Sequence, residues 1–249
     1  MKKLYVVGIG PGSIENMTGA ALAALEDSQV IAGYTTYMDL VADLVGQRET
    51  IATGMMREID RCKAALEAAN EGKTTAMICS GDAGVYGMAS PILELSKDFE
   101  DVEIEVIPGV SAAQSGSSVL GAPLSHDFAT ISLSDLLTPW ELIEKRVDAA
   151  ASADFCIVLY NPRSKKRIDH LRNAATIMLR HKDPDTMCGW VRNIGRENQE
   201  SGILTLAELV DFEADMFTTV FIGNQNTYVQ AGKLITPRGY ENRKRAHHD

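Results

Sequence analysis

Ser80-Gly81-Asp82-Ala83-Gly84-Val85-Tyr86-Gly87-Met88-Ala89 follows the apolar run 76–79. This order reads as a buried strand stopping at Ser80, a tight turn through Gly81, Asp82 and Gly84, and a helix beginning near Tyr86. In an open α/β sheet, ligands bind beyond the carboxyl ends of the strands. The glycines let backbone come close to a ligand where a side chain would collide. Asp82 offers acceptors to an ammonium or hydroxyl group. An ordinary strand-to-helix turn, with Asp82 capping the helix, fits the same residues.

Outward from this turn the chain alternates strands and helices. Residues 4–7, 30–32, 74–79 and 103–107 read as strands, and 18–27, 37–44, 58–71 and 86–97 as helices. That βαβα order predicts a mostly parallel sheet covered by helices. A small-residue stretch, 109–123, reads as a tightly packed helix. Strands are expected at 130–133, 155–159, 187–191, 201–205 and 218–222, and helices at 139–151, 164–179 and 207–212. The charged tail 238–249 is expected to fray. The fold class is therefore α/β.

The 249 residues are 45% hydrophobic and 23% charged, an ordinary composition for a globular protein, and the formal net charge is −10. That charge argues against non-specific nucleic-acid binding and against docking on an anionic membrane. No apolar run reaches membrane-spanning length, and the first residues carry no signal-peptide pattern, so a cytoplasmic protein is expected. The four cysteines form no CxxC pair, so neither a metal site nor a disulfide framework is expected; Cys79 and Cys156 read as small core residues.

Gly8-Ile9-Gly10-Pro11-Gly12 follows the first strand. A dinucleotide fingerprint needs GxGxxG entering a helix and an acid closing the second strand. Here the spacing is GxGxG, and Gly33 and Tyr34 follow 30–32. The loop is expected to line a cleft, through Gly10 and Gly12, or to be a plain turn. Tyr34 and Tyr37 can exchange protons or stack on a flat ligand, or be half-buried aromatics at a helix start. Ser111, after Pro108-Gly109, can cap a helix.

In Ser125-His126-Asp127-Phe128, His126 alone among five histidines sits in a loop between small-residue segments, with Asp127 beside it. It can act as a general acid or base near neutral pH, or be a surface histidine. Asn161-Pro162-Arg163-Ser164-Lys165-Lys166-Arg167 crowds cations at a helix start, where the helix dipole disfavours them. They suit a carboxylate-rich ligand or a solvated face. Arg192-Asn193-Ile194-Gly195-Arg196 ends the next strand in the same way.

Together these segments resemble the tetrapyrrole (corrin/porphyrin) methyltransferase family: GIGPG, SGDAGVYG, PGVSAAQ and the closing strand before Gly223 occur in order over nearly the whole chain. GYTTY, SHDFATISLSDLLTPW and VLYNPRSKKR resemble its branch that methylates C17 of a corrin precursor with ring contraction. The resemblance implies two α/β domains, 1–115 and 116–249, meeting at a cleft. It also implies a homodimer and S-adenosylmethionine (SAM) as cofactor. By motif position the cofactor contacts are Pro11, Ser80, Gly81, Asp82, Val85, Ser111, Ala112 and Asn161, with Asn193, Ile194 and Thr218. His126 is the expected acid/base, with Tyr34 as helper and Asp127 orienting. Arg57, Arg163 and Arg192 are the expected steering groups for substrate carboxylates, and no metal is expected. Another methylase of the same fold, an NAD-dependent oxidoreductase and a non-catalytic tetrapyrrole carrier are the competing readings.

Overall fold

The computed structural model describes residues 2–164 and 167–240. Lys165, Lys166, His247, His248 and most of the charged tail lie outside the described residues. The chain divides into two compact units, Met1–Ala112 and Ala113–Asp249.

The first unit contains β1 (Lys3–Gly8), α1 (Gly19–Asp27), β2 (Val30–Tyr34), α2 (Thr35–Leu40), α3 (Ala42–Val45), β3 (Glu49–Thr53), α4 (Glu58–Asn70), β4 (Thr75–Cys79), α5 (Ala89–Leu95) and β5 (Glu103–Ile107). The strands form one sheet in the order β3-β2-β4-β1-β5, and every pairing is parallel. Alternation along β1 divides the core between two faces. Tyr5 and Val7 pack with Ala21, Leu25, Met38 and Val45 on one side. Leu4 and Val6 pack with Cys62, Leu66, Ala69 and Ile92 on the other. A sheet covered on both faces leaves its carboxyl edge as the place where loops of different strands meet.

Local chemistry sets several boundaries. Thr18 caps α1, its Oγ1 accepting from the Ala21 N–H at 3.1 Å. Glu58 and Asp60 lie in the first turn of α4, where the helix dipole favours acids. Other expectations are corrected. The helix expected near Tyr86 begins at Ala89, because Tyr86 itself is left-handed (φ 56°) and breaks the run. The helix expected over 37–44 splits into α2 and α3 at Val41, whose backbone is non-helical. β3 was not expected. Its Glu-Thr-Ile-Ala-Thr sequence is too polar to read as a buried strand, and it forms the sheet's edge.

The second unit contains α6 (which opens at the boundary, Ala112–Leu120), β6 (Gly121–Ala122), β7 (Phe128–Ser132), α7 (Trp140–Ser152), β8 (Cys156–Tyr160), α8 (His170–Met178), β9 (Met187–Arg192), β10 (Glu200–Thr205), α9 (Leu206–Leu209), β11 (Thr218–Ile222), β12 (Tyr228–Gln230) and β13 (Lys233–Ile235). Its main sheet, β10-β9-β11-β8-β7, is mixed: β7 and β8 run parallel, and the other pairs antiparallel. α7, α8 and α9 cover one face through Ile143, Val147, Leu171, Ala175 and Leu209. On the other face Gly189 lies against Leu120 and Leu234, and Gly116 against Phe221. A small antiparallel and parallel sheet, β12-β13-β6, was not expected from the sequence. α8 starts six residues later than expected, at His170.

Candidate active site

Register places the functional loops of the first unit in a row. Tyr34 is level with Thr53, and Gly8 with Cys79. Extending the β2–β4 register by two residues puts Tyr34 level with Cys79 as well. Tyr34 and Gly8 thus stand two strand spacings apart, about 10 Å, along the carboxyl edge.

Beyond that row the chain ties itself together. Gly10 and Gly81 exchange two backbone hydrogen bonds, Gly10 N–H to Gly81 O at 3.0 Å and Gly81 N–H to Gly10 O at 2.8 Å. Both are left-handed, with φ of 72° and 70°, a conformation glycine adopts without penalty. The Asp82 Oδ1 accepts from the N–H groups of Gly84 (2.8 Å) and Val85 (3.1 Å), and Oδ2 from that of Gly109 (3.0 Å). One carboxylate therefore shapes its own turn and clamps the loop after β5. It caps no helix.

The glycines serve a purpose the sequence did not disclose. A Cβ on Gly109 would lie 2.2 Å from Gly81 O and 2.5 Å from Gly8 O, and one on Gly8 would lie 2.6 Å from Gly109 N. At these two positions the glycines admit neighbouring backbone. Ser111 and Ala112 lie next to Gly81, within 3.7 Å of where its Cβ would be. The structure thus brings Gly10, Ser80, Gly81, Asp82, Val85, Ser111 and Ala112 to one edge, with Pro11 and Gly12 in the adjoining loop. Val85 and Tyr86 are exposed there, as are Met55 and Met56 after β3. The two methionines and Tyr86 were missed; large apolar side chains in a loop, outside any period, were the available signal.

Cys79 precedes Ser80 and is buried, its Sγ accepting from the Met88 N–H at 3.3 Å. Burial pushes its thiol up to about 12, that of Cys188 to about 12 and that of Cys62 to about 11. Cys156 is raised as well, by burial. At pH 8 all four stay protonated. Iodoacetamide should therefore label no cysteine of the native protein within an hour and all of them in guanidinium chloride; rapid native labelling would contradict this.

In the second unit, β8 and β9 run in the same direction with β11 between them. Thr218 is level with Arg192 on one side and, by continuing the register, with Asn161 on the other. Asn161 and Asn193 are left-handed, φ 52° and 51°, as asparagine tolerates. Asn161 Nδ2 donates to Ser132 Oγ at 3.0 Å, and Asn193 Nδ2 to Asn198 O at 3.3 Å. Ile194 is buried beside Gly116. These four predicted donor-site residues share one edge.

His126 and Asp127 do not. They precede β7, and Asp127 O accepts from the Cys156 N–H at the start of β8. By register Asp127 is level with Phe155, six residue steps of strand, about 20 Å, from Asn161. His126 is half exposed, and its Nδ1 lies 3.8 Å from Asp127 Oδ2. Both line a cavity of about 320 Å³ with Asp154, Phe155, Asn224 and Gln225, next to the buried Lys182, which donates to Asp154 at 2.8 Å.

The arginines differ in freedom. Arg192 is held by Glu200 (3.0 Å), Asp215 (3.3 Å) and the Glu213 carbonyl (3.3 Å), and stacks on Trp190. Its charge is spent inside the protein. Arg163 meets Glu213 at 3.5 Å, and Arg57 pairs with Asp60 on an open surface. The hydroxyl of Thr218 is buried and donates to Asp215 at 2.7 Å.

A doubly covered parallel sheet whose carboxyl edge is laced by Gly10, Gly81 and Asp82 defines a class of small-ligand enzyme, and residues 3–210 match the family described as Tetrapyrrole (Corrin/Porphyrin) Methylases. The chain belongs to that family. It is 52% identical to the probable cobalt-factor III C(17)-methyltransferase of Salmonella typhimurium, over 95% of this chain and 99% of that protein. It is 47% identical to the cobalt-factor III methyltransferase of Priestia megaterium, over 96% of this chain and 45% of that longer protein. Among solved structures it superposes on the methyltransferase CobJ with a TM-score of 0.85 at 34% identity, covering 94% of this chain and 99% of CobJ. A uroporphyrin-III C-methyltransferase from Thermus thermophilus, complexed with S-adenosylhomocysteine, shares the fold at TM-score 0.67 and 20% identity, covering 89% of this chain and 97% of that one. No helix among the described residues is long and apolar enough to cross a membrane.

Proposed function

We propose that this chain is a SAM-dependent C-methyltransferase of cobalamin biosynthesis that methylates C17 of a precorrin-3-stage tetrapyrrole, with ring contraction. The observation that carries the reading is the convergence of Gly10, Gly81, Asp82 and Ser111 on one carboxyl edge, in a chain 52% identical to a probable cobalt-factor III C(17)-methyltransferase. The names of the relatives favour a cobalt-loaded ring as substrate. The carboxyl end of β2 carries Tyr34, not the acid a nicotinamide dinucleotide requires, which disfavours the oxidoreductase reading.

The donor set fits SAM. Glycine backbone and small side chains line this edge, Ser80 carries a hydroxyl there, and the loops are pre-ordered by Asp82. In this reading Pro11, Ser80, Gly81, Asp82, Val85, Ser111 and Ala112 hold the cofactor from the first unit. Asn161, Asn193, Ile194 and Thr218 form a separate candidate edge within the second unit. SAM supplies an electrophilic methyl group on a sulfonium, so the protein's task is alignment and exclusion of water. Gly10 and Gly12 line the tetrapyrrole side. Arg57 and Arg163 receive its carboxylates; Arg192 orders the 213–218 turn instead. Tyr34, at the carboxyl end of β2, moves the proton that ring contraction requires. His126 and Asp127, at the far edge of their sheet, take no part. We place the enzyme in the cytoplasm as a homodimer.

Incubation with SAM and either cobalt-loaded or metal-free tetrapyrrole, followed by mass analysis, tests the reading. A gain of one methyl at C17 supports it. Absence of that gain, with no calorimetric heat from SAM or S-adenosylhomocysteine, removes it. Tyr34→Phe should lower kcat about 100-fold while binding S-adenosylhomocysteine normally. His126→Ala should stay within about twofold of wild type, since general acid–base loss would cost far more. The reverse pattern would return the acid/base role to His126.

A further inference from the structure

Residues 133–139 join β7 to α7 and carry two apolar side chains that the described residues leave largely uncovered: Leu136 is 68% and Leu137 98% exposed. The loop leaves the sheet beside Asn161, for the Leu133 N–H donates to Tyr160 O at 2.9 Å and Asn161 bonds Ser132. Its base is firmly held. Arg167 Nη1 donates to Ser134 Oγ at 3.1 Å and lies 3.7 Å from Asp135 Oδ1. His170 Nε2 faces Asp135 Oδ2 at 3.3 Å, and Trp140 packs edge-on against the His170 ring with centroids 4.2 Å apart. Ordering a loop at its base while leaving its leucine tip bare is costly unless a ligand covers the tip.

The geometry points to this loop as a substrate-specificity element: Leu136 and Leu137 pack on the apolar face of the tetrapyrrole, and Asp135, which faces Arg167 and His170, positions them. The inference rests on the methyltransferase reading and goes beyond it in naming the surface that recognises the ring. A macrocycle presents what the loop needs, a broad apolar face with carboxylates at the rim, and Arg163 stands two residues beyond Asn161 to meet one. Asp135 is a positioning residue, since it reaches the ring only through the leucines.

Steady-state kinetics with cobalt-loaded tetrapyrrole, calorimetry with S-adenosylhomocysteine and sedimentation of Leu136→Ala, Leu137→Ala and the double variant test it. The double variant should raise KM for the tetrapyrrole about thirtyfold or more, since it loses the burial of two leucines. Its affinity for S-adenosylhomocysteine should not change. Asp135→Asn should raise KM with kcat nearly intact, and Asp135→Glu should restore most of the loss. An unchanged KM in the double variant overturns the inference, and if the variant also dissociates a dimer, a second copy of the chain covers the leucines. Failure of the underlying reading is separate: it appears in the wild-type protein, as no methyl transfer and no S-adenosylhomocysteine binding.

Discussion

Gly109→Ala should cost about 3 kcal/mol or more of stability and lower Tm by about 10 °C. The added methyl would sit 2.2 Å from Gly81 O, 2.5 Å from Gly8 O and 2.6 Å from Gly8 C. All three are backbone atoms of neighbouring loops, so no side-chain rotation relieves the overlap; the strand ends of β1, β4 and β5 must separate. Overpacking of a rigid site costs about 1–3 kcal/mol, more where backbone must move, and in a chain of this size each kcal/mol shifts Tm by roughly 2–4 °C. Separation would also pull Gly109 N–H from Asp82, so S-adenosylhomocysteine binding should fall with stability. Gly19→Ala is the control. Among the described residues, none beyond its own chain neighbours and helix backbone comes within 4 Å of its Cβ position, and it opens α1, so the change should be neutral or slightly stabilising. Thermal unfolding of both variants decides the matter: a Gly109→Ala protein that melts with the wild type would show that the three loops are not packed as described.

Asp82→Ala should lower the affinity for S-adenosylhomocysteine by about 100-fold and stability by about 2–4 kcal/mol. The carboxylate is the shared acceptor for three N–H groups on two loops. Hydrogen bonds to a charged partner are worth about 1.5–3 kcal/mol each, and partial exposure lets water replace some of that. Asp82→Asn should fall between, since an amide keeps one acceptor oxygen and offers a donor where an acceptor is needed. Calorimetric titration with S-adenosylhomocysteine measures the first effect and urea unfolding the second. Near-wild-type binding by Asp82→Ala would reduce Asp82 to a local turn residue.

Much of the fold was legible because its signals are local. The apolar runs at 74–79, 155–159 and 218–222 name buried strands wherever they occur, and the alternation of strands with helices in the first half dictates a parallel sheet. The exposed edge strand β3 gave no such signal, since Glu49, Thr50 and Ala52 face water. Pairing direction in the second unit depends on which strands meet, and β11 inserts antiparallel between β8 and β9 through contacts that no local pattern encodes. At the site, the turn after Cys79 was readable, but Asp82's bond to Gly109 spans 27 residues of sequence. Arg192 and Arg163 looked alike as cations after strands; only the tertiary structure gives the first two carboxylate partners, Glu200 and Asp215, and the second a single one, Glu213.

The sequence by itself determined which apolar segments become buried strands, where the glycine-rich turns fall and which motifs place the chain among tetrapyrrole methylases, because each is written in neighbouring residues. Tertiary structure alone decided which side chains share an edge. His126 lies beyond the amino end of its strand and Asn161 beyond the carboxyl end of the next, so two chemically apt residues stand about 20 Å apart. Gly8 and Gly109, about a hundred residues apart in sequence, meet at van der Waals distance because parallel pairing puts their strands side by side.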